Sequence, residues 1–232
     1  MSLYEREKKY VNLLLEGSLT VKELAQRLFI SEPTVRRDII TLRKKDLVVC
    51  NRGSVSLKVN YADQRIPLFI RDMEQKDEKR VIAKKAVSHI KDGDVIMLDA
   101  STTAFQLLSH LGDFKKILVI TNGAKTAMET ASMGIKTICT GGELTEESFS
   151  YVGTDAESVL KRYNADVALF SCRGISDDGL VTDNSILENS MRKIMIENSK
   201  KSYLLCDSSK FGKTCLNTLC HTDELDGVIT DK

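Results

Sequence analysis

The chain has 232 residues, 42% of them hydrophobic and 29% charged, which suits a globular protein with one large domain or a small one joined to a medium one. A formal net charge of +1 hides an asymmetry: residues 1–60 carry 12 Lys/Arg against 7 Asp/Glu, and the remainder 22 against 26. The front is therefore suited to a polyanion and the back is not. No apolar run nears the ~18 residues of a membrane span, and the charged MSLYEREKKY start does not read as a signal peptide. Six scattered cysteines without a CxxC pair, beside three histidines, speak against a metal site and for reduced thiols in a cytoplasmic protein.

In chain order, the apolar positions 3, 10, 11, 13, 14 and 15 predict a first helix that Gly17 stops. Thr20 caps a second, Val21–Leu28, with Glu23 completing a capping box. After the short link Phe29-Ile30, Ser31 caps a third helix whose first turn tolerates Pro33. Two helices joined this closely have the shape of a helix-turn-helix. On the third helix Val35, Ile39 and Leu42 fall within about 60° of one another and face a core. Pro33, Arg37, Thr41 and Lys44 then face outward, flanked by Thr34 and Arg36. Thr and Arg near the N-terminal end are placed to enter a major groove, where Arg pairs with guanine edges or phosphate. Residues 47–50, a turn at 51–54 and residues 55–57 predict a β-hairpin wing with Arg52 at its tip. The plain alternative, a helix basic only for solubility, is weakened by the capped helix before it and the hairpin after it. The expected DNA contacts are Ser31, Thr34, Arg36, Arg37, Thr41, Lys44 and Arg52.

The pattern LTVKELAQRLFISEPTVRRDIITLRKKDLVV, with its core S-x-x-T-V-R-R-D-I at Ser31–Ile39, resembles the N-terminal domain of the DeoR family of bacterial sugar-metabolism repressors. The resemblance implies that Thr34, Arg36 and Arg37 contact DNA and that Asp38 pairs or caps within the domain. Double-stranded operator DNA is the implied partner, and the pseudo-palindromy of such operators implies a homodimer or homotetramer.

Residues 59–75 are read as a linker between a winged helix-turn-helix domain at 1–58 and an effector domain at 76–232. Within 68–90 helical spacing returns, similar to the connecting helix of the family. From residue 94 short β-rich runs alternate with helical stretches: Val95–Asp99, Ile117–Thr121, Ile135–Thr140, Val167–Ser171, Tyr203–Asp207 and Val228–Thr230. Such alternation predicts a mostly parallel, Rossmann-like α/β sheet, with ligands at the carboxyl ends of the strands. The turns there carry Asp99, Ser101, Thr102 and Thr103; Thr121 and Asn122; Gly141 and Gly142; Arg173; and Asp207 and Lys210. Together they suit an anionic, hydroxyl-rich ligand such as a sugar phosphate.

The motifs D-x-x-T-T, T-N-G, the Gly-Gly turn, Gly174–Leu180 and D-x-S-K-F-G at Asp207–Gly212 extend the resemblance to the DeoR sensor domain, similar in fold to ribose-5-phosphate isomerase and the CoA-transferases. It implies a phosphorylated-sugar effector that weakens DNA binding, and no cofactor. Three positions depart from the family: Ser101 replaces Gly, Arg173 replaces Asp, and Arg192 replaces Lys in E-x-x-x-K-x-x-M. Arg192 stands among the expected effector contacts; Arg holds phosphate bidentately where Lys is a point charge, so the swap is not neutral and bears on which effector is taken. Two alternatives stand beside this reading. A sugar-phosphate isomerase would use Asp99 and Asp207, but Arg173 removes an acid and no histidine is well placed, so no enzyme activity and no catalytic residue is expected. A DNA-binding regulator whose sensor no longer takes a sugar phosphate is the other.

Overall fold

The computed structural model describes residues 3–15, 17–45, 47–51, 53–58 and 68–232. The chain divides into two compact units, one ending at Met73 and one spanning Glu74–Lys232.

The first unit begins with α1 (Leu3–Leu15), a two-residue β1 (Leu19–Thr20), α2 (Val21–Leu28) and α3 (Glu32–Lys44). The hairpin β2 (Val48–Asn51) and β3 (Ser54–Leu57) follows, and β1 pairs antiparallel with β3 to complete a three-stranded sheet in the order β1-β3-β2. The expected capping box is formed: Thr20 Oγ1 accepts from Glu23 N at 3.2 Å, and Glu23 accepts from Thr20 N at 2.7 Å. These two bonds satisfy amides that a helix start otherwise leaves orphaned. Phe29 ends α2 in the left-handed conformation, and Ser31 opens α3 by accepting from Thr34 N at 3.4 Å. Val35, Ile39 and Leu42 bury against Tyr10, Val11, Leu24, Leu28 and Val55. This is the winged helix-turn-helix that the spacing predicts. The assignment of 59–75 as linker needs correction at its second half. Leu68–Met73 forms a short helix, α4, that packs on α1 and buries Leu68.

The second unit opens with α5 (Lys76–Ala86) and then alternates: β4 (Val95–Leu98), α6 (Thr102–Phe105), α7 (Leu108–Leu111), β5 (Leu118–Thr121), α8 (Ala124–Ser132), β6 (Lys136–Cys139). A small ribbon β7 (Glu143–Leu144) and β8 (Tyr151–Val152) leads to α9 (Thr154–Leu160) and β9 (Val167–Phe170). Then come β10 (Gly174–Ile175), β11 (Leu180–Asp183), α10 (Ile186–Glu197), β12 (Ser202–Leu205), β13 (Asn217–His221) and β14 (Gly227–Ile229). Six strands form one parallel sheet in the order β14-β12-β9-β4-β5-β6. Alternate residues serve opposite faces: Ile96 and Leu98 join the core under α5 to α7, and Met97 joins the core under α9 and α10. Both faces are covered, which is why the strands read as continuous apolar runs. The sequence does not predict the antiparallel sheet β10-β11-β13, whose strands are short and half polar.

The strand order places the site. From β4 the chain moves one way to β5 and β6, then returns to the other side of β4 with β9, β12 and β14. The switch therefore lies between β4 and β9, and in open α/β sheets the ligand crevice opens at the carboxyl ends beside such a switch. No described helix is long and apolar enough to cross a membrane.

Candidate DNA-reading helix and effector site

On α3 the outward residues stand as the helical geometry predicts. Arg36, Arg37 and Lys44 are exposed, and Thr34 and Thr41 are half-buried. Ser31 Oγ lies 2.9 Å from Thr34 Oγ1, and Thr41 Oγ1 donates to the Arg37 carbonyl at 3.3 Å. Arg36 faces Glu32 at 3.6 Å, an exposed i,i+4 pair that holds the side chain only weakly. Arg52 lies outside the described residues. Ile40, exposed on the same outward side, is not singled out by the sequence reading; an apolar residue there breaks the expected polar pattern and carried no motif signal.

Asp38 has the structural role that the resemblance implies. It is buried on the inner side of α3, where Arg6 donates to both its oxygens at 2.8 and 3.2 Å and Tyr10 Oη donates at 3.3 Å. Burial first, and the Asp38 charge second, push the Tyr10 phenol upward. A second cross-helix pair, Lys45 Nζ to buried Glu7 at 2.8 Å, joins the C-terminal end of α3 to α1. Together these bonds fix how α3 leans on α1, and so which of its residues face outward.

In the second unit the switch point is bridged by Asp99. Its Oδ2 accepts from Ser171 N at 3.2 Å and its Oδ1 from Ser101 N at 3.1 Å, so one carboxylate joins the ends of β4 and β9. Arg192, on α10, then meets three carboxylates: Asp99 through Nε at 3.0 Å, Asp183 through Nη1 at 2.8 Å and Glu188 through Nη2 at 3.0 Å. Nη1 also donates to Asn189 Oδ1 at 3.2 Å. Burial alone would lower the pKa of this guanidinium, but Asp183, Asp99 and Glu188 raise it instead. Its expected role as a phosphate clamp is thus corrected: its donors are taken by protein carboxylates. Glu188 and Asp183 are the partners missed. Glu188 was visible as the i−4 neighbour of Arg192, whereas Asp183 comes from a strand of the unforeseen sheet.

Several of the other expected residues serve the local fold. Ser101 Oγ caps α6 by accepting from Ala104 N at 3.1 Å, and Thr121 Oγ1 accepts from Gly123 N at 3.0 Å, so these oxygens serve local turns. Thr102 and Thr103 are buried within the first turn of α6. Gly141 and Gly142 both have positive φ, and a Cβ on Gly142 would come within 2.8 Å of the Val152 carbonyl.

Of the residues expected at this edge, two carry a buried acceptor with no hydrogen-bond partner among the described residues. Asn122 donates through Nδ2 to the Tyr151 carbonyl at 3.1 Å, but its Oδ1 has no partner. Asp207 uses Oδ1 for the amide and hydroxyl of Ser209, and its Oδ2 has none. Unpaired buried acceptors are costly, so each is a place where a donor belongs. Two cations stand nearby in the chain: Lys210 donates to the Cys172 carbonyl at 2.8 Å, and Arg173 is half-buried with no hydrogen bond or ion pair through its guanidinium among the described residues. No group of three or more metal-ligating side chains occurs among the described residues.

A capped helix-turn-helix with its wing, followed by a parallel sheet covered by helices, has the architecture of a DNA-binding regulator with an α/β sensor domain. Residues 6–59 match the model of the DeoR-like helix-turn-helix domain, and residues 74–232 that of the DeoR C terminal sensor domain. The chain belongs to the DeoR family of helix-turn-helix transcriptional regulators.

Similar proteins include the HTH-type transcriptional regulator YulB of Bacillus subtilis, 33% identical over 100% of this chain and 90% of its own length. The L-fucose operon activator of Escherichia coli is 32% identical over 98% of this chain and 94% of its own. The lactose phosphotransferase system repressor of Staphylococcus epidermidis is 30% identical over 100% and 93%. These relatives are regulators by name, and this chain is a transcriptional regulator rather than an enzyme. Among solved structures, eIF2B delta from Chaetomium thermophilum aligns with 71% of this chain and 59% of its own at a TM-score of 0.53 and 18% identity, a likeness of fold alone. A D-ribose-5-phosphate isomerase aligns over 60% and 55% at a TM-score of 0.46 and 17% identity.

Proposed function

We propose that this regulator represses a carbohydrate-metabolism operon and leaves its operator when a phosphorylated sugar binds the switch-point edge of the sensor domain. The observation that carries the reading is the pair of open buried acceptors, Asn122 Oδ1 and Asp207 Oδ2. Sugar hydroxyls are the donors such acceptors want, and Arg173 and Lys210 supply positive charge for a phosphate. The names of two relatives, one for lactose and one for L-fucose, support a carbohydrate operon, and one of the two is a repressor. On α3, Ser31, Thr34, Arg36, Arg37, Thr41 and Lys44 would meet DNA, with Arg37 nearest the centre of the outward face. A homodimer or homotetramer matches a pseudo-palindromic site, and the protein works in the cytoplasm.

Release requires that the sugar phosphate bind the DNA-incompetent arrangement more tightly. A coupling of about 1–3 kcal/mol is ordinary for such linkage. The taking up of Arg192 by three carboxylates favours one second reading, a regulator whose sensor takes no phosphate.

Fluorescence anisotropy on DNA from upstream of the protein's own operon separates the two, with Arg37→Ala as control and a panel of sugar phosphates titrated in. Tight binding lost in the variant and reversed by one sugar phosphate supports repression and names the inducer. Tight binding that no sugar phosphate alters supports the second reading. Equal, salt-sensitive binding by parent and variant sinks the assignment of α3.

A further inference from the structure

Cys172 and Cys206 sit just beyond the carboxyl ends of β9 and β12, each one residue before an expected ligand contact, Arg173 and Asp207. The two strands pair in parallel with Ser202 beside Ala168, Tyr203 beside Leu169 and Leu204 beside Phe170. Carried two residues further, that register sets Cys206 beside Cys172. Alternation agrees: both side chains belong to the core under α9 and α10, with Phe170 and Leu204. Neighbouring parallel strands lie about 4.8 Å apart, inside the roughly 4.4–6.8 Å Cα separation that a disulfide bridges. Both thiols are free.

We propose that Cys172 and Cys206 form an oxidisable dithiol beneath the ligand edge, which a small peroxide closes to a disulfide and a thiol reductant reopens. The electrostatics suit it. The Cys206 S–H lowers the Cys172 thiol, burial opposes that, and Lys210 and Arg192 lower it further; the same contact raises Cys206. Cys172 is therefore assigned as the attacking sulfur and Cys206 as the resolving thiol. Cys172 sulfur attacks one oxygen of hydrogen peroxide, the O–O bond breaks, and hydroxide leaves and takes up a proton as water. The resulting sulfenic acid is attacked by Cys206 sulfur as that thiol gives up its proton; the S–O bond breaks, and hydroxide leaves with that proton as a second water. Two thiols are oxidised and one peroxide is reduced. Peroxide is small and uncharged, which is what a buried pair admits. The bridge would tie together the residues before Arg173 and Asp207, and its consequence for the ligand rests on the effector reading above.

The test uses the full chain carrying Cys50→Ser and Cys139→Ser, which removes the two exposed thiols. The protein is treated with hydrogen peroxide, unfolded in N-ethylmaleimide and digested, and its peptides are mapped by mass spectrometry. The expected product is one cross-linked peptide joining 172 to 206, lost after dithiothreitol and absent from Cys206→Ala, where Cys172 instead carries sulfenic acid. Maleimide on both cysteines of the treated parent chain would overturn the proposal, leaving them as small apolar residues of the core. A bridge from Cys206 to Cys220 would overturn it equally. Neither readout involves DNA or sugar phosphate, so the dithiol can fail while the effector reading stands, and the reverse.

Discussion

Arg192 Nε donates to Asp99 Oδ2 at 3.0 Å, and this one bond ties α10 to the point where the sheet reverses its strand order. The same carboxylate oxygen accepts the Ser171 amide, so helix, β4 and β9 share a single buried atom. The residue expected to hold a ligand therefore holds the carboxyl end of the sheet together.

Removing that cation leaves Asp99 and Asp183 buried without compensation. Arg192→Met is expected to cost about 3–5 kcal/mol, read as a lower urea midpoint for the second unit. Arg192→Lys should fall between, because an ammonium cannot reach three carboxylates in the guanidinium's fixed fork. A Met variant as stable as the parent would show that the clasp is not structural.

Asp38 and Arg37, one residue apart, should separate stability from DNA binding. Asp38→Ala removes the buried acceptor that Arg6 and Tyr10 share and is expected to cost about 2–3 kcal/mol of stability in the first unit. Arg37→Ala should leave thermal stability unchanged, weaken DNA binding and reduce the salt dependence by about one counterion. Unaltered DNA affinity in the Arg37 variant would argue against the outward face of α3 as the reader.

Asp207→Asn replaces the unpaired Oδ2 by a neutral amide. The bonds to Ser209 keep their oxygen, so stability is expected to stay within about 1 kcal/mol of the parent, while any ligand hydroxyl donating to the lost Oδ2 loses its acceptor. The sugar phosphate needed for release should rise about tenfold or more. Calorimetry and anisotropy on the same preparation check both halves. A variant that is less stable yet responds normally would count against an acceptor kept open for a ligand.

His221 gives a pH signature. Its pKa is raised above the ordinary 6.5, first by the Asp178 carbonyl and then by Asp223, whose carboxylate lies 2.7 Å from Nδ1. A raised folded pKa means stability fully present below 6.5 and lost as pH climbs through the folded value. An NMR titration should give a midpoint above 6.5, and the stability advantage over His221→Gln should fade as the solution turns alkaline. An advantage that grows with pH would contradict the assignment.

Much of the architecture was legible because its signals are local. Thr20, Glu23 and Ser31 cap as their spacing predicts, and the six runs of the parallel sheet match β4, β5, β6, β9, β12 and β14 to within a residue at most ends. Strands covered on both faces announce themselves as apolar runs. The Arg192 clasp was not legible, since Asp99 lies 93 positions away and a charge in sequence does not say whether it faces water or a buried partner. The sheet β10-β11-β13 escaped for a related reason: Gly174-Ile175 is too short to alternate, and its pairing with Leu180–Asp183 and Asn217–His221 is set by tertiary register. Asn122 and Asp207 stand out in the sequence by their place after a strand; that one oxygen of each has no partner among the described residues is a property of the packed structure only.

Gly141 and Gly142 are the same letter in sequence but obey different constraints. Gly141 adopts φ +63° and faces open space, so only its own torsion restricts it, and asparagine tolerates that conformation. Gly142, at φ +103°, has the Val152 carbonyl where any side chain would begin. In a saturation library position 141 should drift toward asparagine while position 142 stays monomorphic, so that the loop after β6 evolves on one side of a peptide bond and stands still on the other.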